Sequence, residues 1–262
     1  MKKTTIGGLV LSAVLAATAA SAAPYVELPN GSRVTGQAIR ALANGDVNLT
    51  TDMGMRTFPK GSYVRAVADK PAEYDQAAAA LRAQKYDVAA KLLEGIVAKY
   101  RYLGWDVEAA KLLAQARLGA GDAEGAVKAY EQLFLLDPAQ KQNADAVWGM
   151  RGAMLKAKQY PALLRQLDAT AAAGNRLDAA KAQIMRGDVE LDQNHLEPAA
   201  LDYLRTAILF ADVKDPALLG EATYKAAAVL EQLRDPRAKE MYKKVVADFG
   251  SSPYAAQARG KM

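Results

Sequence analysis

His195 is the only histidine of the chain, and there is no cysteine. Nucleophile–base pairs and nitrogen- or sulfur-ligated metal sites need at least two such groups close together, so the sequence gives neither chemistry a starting point. His195 stands in a turn, Asn194-His195-Leu196-Glu197, ahead of a helical pattern, where an exposed turn residue is expected. After residue 23 the serines are Ser32, Ser62, Ser251 and Ser252; all four fall in turn clusters and read as turn formers. Carboxylates are numerous but scattered along helical patterns, as on a solvated face. Gly119-Ala120-Gly121 lacks the Gly-Lys-Ser/Thr ending of a phosphate loop. The basic run at 237–244 reads as a solvated helix face rather than a lipid contact. The expectation is a non-enzyme without cofactor or metal. The competing idea is an envelope-polymer enzyme built on unrecognised carboxylates.

The elements that would position a binding site are easier to read. Lys2 and Lys3 precede an apolar run, Ile6 to Ala20, which closes on Ala20-Ser21-Ala22. Positive n-region, apolar h-region and small-residue cleavage site form a secretory leader, assigned to residues 1–23. The run is short of the roughly 20 apolar residues of a bilayer span, against the reading as an uncleaved anchor. The expected location is the periplasm, soluble, with no integral membrane segment after cleavage. Absence of cysteine excludes a lipid-modified N-terminus and disulfide staples. The chain carries 34 basic and 29 acidic residues, net +5. Without Lys2 and Lys3 this falls to +3, interspersed, so no nucleic-acid partner is expected.

Residues 24–70 form the first expected domain. Pro29-Asn30-Gly31-Ser32, Ala43-Asn44-Gly45-Asp46, Asp52-Met53-Gly54 and Pro59-Lys60-Gly61-Ser62 are turn signals. They bound five short β-branched runs at 25–28, 33–42, 47–51, 55–58 and 63–68. Five strands in so short a span predict a small barrel or a curled sheet, since full closure protects the edges, and the pattern resembles an SH3-like or Sm-like barrel. Lys70-Pro71 marks a boundary, after which alanine content rises and the apolar period becomes helical.

Residues 71–262 repeat. Ala89, Leu93 and Ile96 align with Ala126, Tyr130 and Leu133. Ala162, Gln166 and Ala169 follow, then Ala199, Tyr203 and Thr206, and finally Ala238, Tyr242 and Val245. The first positions lie 37, 36, 37 and 39 residues apart, a period that marks stacked helical hairpins. Positions i, i+4 and i+7 share a helix face. The small residue admits a neighbouring helix, and the aromatic or Leu fills the groove. Each of these helices follows another, at 73–84, 106–118, 144–158, 177–193 and 216–233. The segment from Tyr254 onward reads as a cap over the last pair. The fold class expected is therefore mainly α, an α-solenoid of about five hairpins behind a small β-barrel-like domain.

Gly121-Asp122, Ala126, Tyr130 and Pro138 resemble the turn, small, aromatic and proline positions of the tetratricopeptide repeat family. Gly250-Ser251-Ser252-Pro253 after AKEMYKKVVADF resembles its exported members. The spacing slightly exceeds that family's 34, which a HEAT-like or generic hairpin array would also accommodate. The resemblance implies a protein–protein interaction scaffold, with a partner segment held on a concave face lined by the first helix of each pair. Tyr74, Lys111, Gln115, Trp148, Arg151 and Met154 are the residues it places there. Trp148 and Arg151 are three apart and of types that recur at binding hot spots, although Trp148 serves equally as a core residue between pairs. The implied function is an adaptor of the bacterial cell envelope with a protein or peptide partner. The alternative is a structural or assembly protein whose β region drives self-association or peptidoglycan contact, the repeats acting as spacer.

Overall fold

The computed structural model describes residues 23–262 apart from residue 174. The leader reading rests on residues 1–22 and lies outside the described residues. Two compact units divide the chain, one ending at Leu112 and one running from Leu113 to Met262.

In the first unit, six short strands form two antiparallel sheets. β1 (Tyr25–Glu27) lies between β2 (Arg33–Thr35) and β6 (Arg65–Val67), while β4 (Val47–Thr51) lies between β3 (Ala38–Ala41) and β5 (Gly54–Phe58). Val26 sits opposite Val34 and Ala66, and Val47 opposite Phe58. Val47 and Leu49 alternate inward on β4 and join Val26, Phe58 and Ala66 in one core.

The closed barrel is not formed. The run 33–42, read as one strand, is two strands in different sheets, broken at Gly36. There the chain passes so close to β4 that a Cβ on Gly36 would lie 2.4 Å from the Thr50 carbonyl oxygen and 2.8 Å from the Leu49 side chain. The Gly36 N–H donates to Pro24 O, and the Gln37 N–H to Thr50 O, so the backbone changes sheets in a single step. β5 pairs only with β4, and β6 only with β1, so the sheets stay open. Their core is covered from the helical segment instead. Leu103 packs into it and Trp105 against it, and the Trp105 indole N–H donates to the Ala68 carbonyl at 2.9 Å.

Eleven helices follow among the described residues. α1 (Ala72–Arg82) and α2 (Tyr86–Lys99) pair within the first unit. α3 (Trp105–Gly119) contains the point of division. The second unit holds α4 (Ala123–Leu136), α5 (Ala144–Lys156), α6 (Tyr160–Ala172), α7 (Arg176–Asp192), α8 (Leu196–Leu209), α9 (Pro216–Gln232), α10 (Arg237–Asp248) and α11 (Tyr254–Arg259). The five first helices anticipated from periodicity are α1, α3, α5, α7 and α9, and their bounds match within two residues.

A repeated turn joins the helices of each pair. Gln84, Gly121, Lys158, Asn194 and Arg234 all have positive φ, between 57° and 81°. In each case the next residue's N–H reaches back to a carbonyl five residues earlier, as in Lys85 N–H to Ala80 O and His195 N–H to Glu190 O. A left-handed residue with this reach-back bond satisfies carbonyls orphaned at a helix end. The starts are capped as well. Asp122, Asn143, Asn175 and Asp215 accept from first-turn N–H groups of α4, α5, α7 and α9, each cap adding about 1 kcal/mol.

Within the second unit, neighbouring pairs lean on one another. α7 packs on α8, α8 on α9, and α9 on α10, and Ala180, Ile184, Tyr203, Ala222 and Leu230 share one core. Leu93, Tyr130, Tyr203 and Tyr242 are all buried, as the repeat requires. The third hairpin is shifted by one residue from the reading above. Leu163 and Leu167 on α6 are fully buried, while Ala162 and Gln166 are only partly so. A leucine therefore stands where the other copies have alanine. α11 packs on α9 and α10, with Tyr254 against Tyr224 at 5.3 Å between ring centroids. The second unit is thus a helical-repeat array ending in a short capping helix.

Candidate partner-binding face

Successive first helices of the second unit meet through polar side chains. On α5, the i to i+3 spacing lays the Arg151 guanidinium over the Trp148 indole at 4.4 Å from the ring centroid. Lys181 of α7 brings its ammonium to 5.9 Å from the same ring. The indole N–H donates to Asp178 Oδ1 of α7 at 3.2 Å. Asp178 is held at the first turn of α7, where its own N–H donates to the Asn175 side chain.

Arg151 is 8 % exposed. Its Nη2 donates to Thr170 Oγ1 of α6 at 2.6 Å, and Thr170 in turn donates to the Gln166 carbonyl. Its Nε is buried with no hydrogen-bond partner. Burial pushes its pKa down and the Asp178 carboxylate opposes that shift. Arginine stays protonated through any such shift in a protein. The result is a buried cation fixed by an aromatic face and a hydroxyl rather than by a bonded carboxylate.

One turn-pair further along, α7 meets α9 differently. Lys225 of α9 is 2.8 Å from Asp188 and 2.7 Å from Glu221, and the Tyr203 hydroxyl donates to Asp188 at 2.7 Å. Burial works against the Lys225 charge, but Asp188 and Glu221 outweigh it and raise its pKa. Burial, with Asp188 second, pushes the Tyr203 phenol up. This network is satisfied internally and holds the two helices together.

The six residues singled out from sequence fall into different settings. Trp148 and Arg151 come together as described. Met154 is 3 % exposed, its sulfur accepting from Gln166 Nε2, so its side chain belongs to the packing between α5 and α6. Gln115 is exposed on α3. Tyr74 and Lys111 belong to the first unit. The Tyr74 ring meets Trp105 edge-on at 5.1 Å, with the Lys70 ammonium over its face. Burial raises the Tyr74 phenol, with Glu108 adding to the shift. Lys111 pairs with that same Glu108 at 3.3 Å. Sequence reasoning missed Asp178 and Lys181, whose only signal was a pair of opposite charges at i and i+3 early in a first helix.

The first unit also carries an apolar cleft of about 370 Å³ on α2, lined chiefly by Val88, Leu92, Gly95 and Ile96. Among the described residues, no group of three His, Cys, Asp or Glu side chains is placed to hold a metal ion. Nor is any helix among them long and apolar enough to cross a membrane.

No protein-family model matches the chain, and no curated protein matches it. Solved structures that it resembles include MamA 41-end from Desulfovibrio magneticus RS-1, at 20% identity and a TM-score of 0.48, covering 68% of this chain and 93% of that one. Another is the MamA RS-1 ArsTM double mutant, at 20% identity and a TM-score of 0.47, covering 66% and 90%.

Proposed function

We propose that the chain is a non-catalytic interaction scaffold of the tetratricopeptide kind, exported to the cell envelope. It holds a segment of a protein partner on the face carried by α5, α7 and α9. The observation that carries this reading is Trp148. A half-buried indole flanked by two cations combines the aromatic and arginine chemistry that anchors interfaces. Pre-formed repeat surfaces bind with little ordering cost. Residues 24–70 and 71–262 act on this view as an accessory β domain and a binding domain.

A photo-crosslinking amino acid at position 181, in living cells, tests the reading. Recovery of a defined envelope protein, lost on Trp148→Ala, supports it. Adducts that do not depend on Trp148 count against it.

A second reading gives the leading part to the β region. Met53 and Met55, at the β4–β5 turn, are 92% and 68% exposed, and β5 has one unpaired edge. Exposed edges are templates for pairing with another chain. Crosslinks from position 55 into a second copy or into the cell wall, surviving Trp148→Ala, favour this assembly role. Deleting 25–70 separates the two readings in the same cells.

A further inference from the structure

A glycine in a helix interior is disfavoured against alanine, and it ordinarily has a packing or functional reason. Gly95, in the middle of α2, has no close neighbour: a Cβ there would meet nothing within 4 Å among the described residues. The glycine opens instead onto the cleft of about 370 Å³, whose other lining residues on α2 are Val88, Lys91, Leu92, Ile96 and Lys99, with Glu73 contributed by α1.

Shape and lining select the occupant. From Val88 to Lys99 an α-helix advances about 16 Å. Spread along that length, the 370 Å³ of the cleft gives a cross-section of roughly 22 Å². A helix, about 10–12 Å across with its side chains, needs several times as much. An extended peptide is narrow enough, but its N–H and C=O groups would face the side chains of Val88, Leu92 and Ile96. Backbone groups taken from water without partners are costly. A hydrocarbon chain fits the width and needs no hydrogen bond. Charge then fixes its end group. Lys99 pairs with Glu73 at 3.9 Å, whereas Lys91 has no ion pair within 4.0 Å among the described residues. Two cations and one carboxylate in the lining leave a net charge of +1.

We propose that this cleft binds a fatty acid, with its alkyl chain lying along α2 over Gly95 and its carboxylate at Lys91. The proposal is independent of the scaffold reading, whose site lies in the second unit, so either can fail alone.

The ¹⁵N-labelled full chain is titrated with decanoate, decyltrimethylammonium, decylphosphocholine and butyrate, each to about 1 mM, while the Val88 and Leu92 amide resonances are followed. Decanoate is expected to give a saturable shift, and butyrate, which lacks the chain, none. The two long-chain probes without net negative charge bind at least about threefold more weakly, and Lys91→Gln removes the difference. Gly95→Leu fills the cleft and abolishes the shift. It leaves the thermal midpoint of the free chain unchanged or higher, because leucine favours a helix more than glycine does.

No saturable shift with decanoate, or a shift that survives Gly95→Leu, overturns the proposal. Equal binding of the three long-chain probes, indifferent to Lys91→Gln, overturns the fatty-acid assignment. Crosslinks to a protein from position 88 in living cells, lost on Gly95→Leu and accompanied by silence toward decanoate, give the cleft to a polypeptide and overturn it as well.

Discussion

The Tyr130 hydroxyl of α4 occupies the space where a side chain on Gly149 of α5 would begin. A Cβ there would lie 2.2 Å from the phenol oxygen and 2.7 Å from its ring carbon. Tyr203 and Gly187, on α8 and α7, repeat the arrangement at 2.5 Å. Two of the repeat's three aligned tyrosines, Tyr130 and Tyr203, are thus seated against bare backbone. Gly149→Ala is expected to cost about 1–3 kcal/mol, the usual range for forced overpacking. Combining it with Tyr130→Leu should cost less than the sum of the two single changes. Urea unfolding of the four proteins measures both effects.

The turns between helices offer a gain. Gln84, Lys158 and Arg234 adopt left-handed backbone at φ 57°, which costs an L-residue roughly 1–2 kcal/mol. Replacing each with glycine should stabilise the chain by about 0.5–1 kcal/mol, part of the relief being offset by glycine's freedom when unfolded. Gly121→Gln, at the equivalent turn, should destabilise by about 1 kcal/mol. Thermal midpoints of the single variants test the four changes together.

The α7–α9 junction should be intolerant of half-removal. Lys225→Met leaves Asp188, Glu221 and the Tyr203 hydroxyl without their cation, at an expected cost of about 2–4 kcal/mol. Adding Asp188→Leu should recover part of that loss. A smaller loss in the double than in the single variant, read by denaturant midpoint, is the result to look for.

Acid sensitivity has an identifiable contributor at the start of α10. Hydrogen bonds from the Arg237 side chain, then its backbone N–H, hold Asp235 at about 2 against an ordinary value of 3.8. A carboxyl depressed on folding stabilises fully above its unfolded value, and that contribution fades as pH falls through the folded one. The stability difference between the native chain and Asp235→Asn should therefore be flat from neutral pH to about 5. It should shrink between 3.8 and about 2. Midpoints measured across that window check the sign, and a difference that grows on acidification would contradict it.

Much of the helical region was legible because its rules are local. Ala126 and Tyr130 mark one face, and Gly121-Asp122 and Asp137-Pro138 punctuate the ends. The third hairpin misled because Ala162 and Leu163 are both apolar, and only packing decides which turns inward. Gly36 was equally mute. A lone glycine in a β-branched run signals a bend, but which strand approaches it is a tertiary fact. At the candidate site, Trp148 and Arg151 were visible through their i, i+3 spacing. Lys181 and Asp178 were not, because their meeting with Trp148 is made between helices some thirty residues apart.

The short helix at the C-terminus has one more consequence. Tyr254, Ala255 and Ala258 fill the place beside α9 and α10 where another hairpin would otherwise sit. A further hairpin stacked at this end, from another chain or another copy, would have to displace α11 before it could reach that surface.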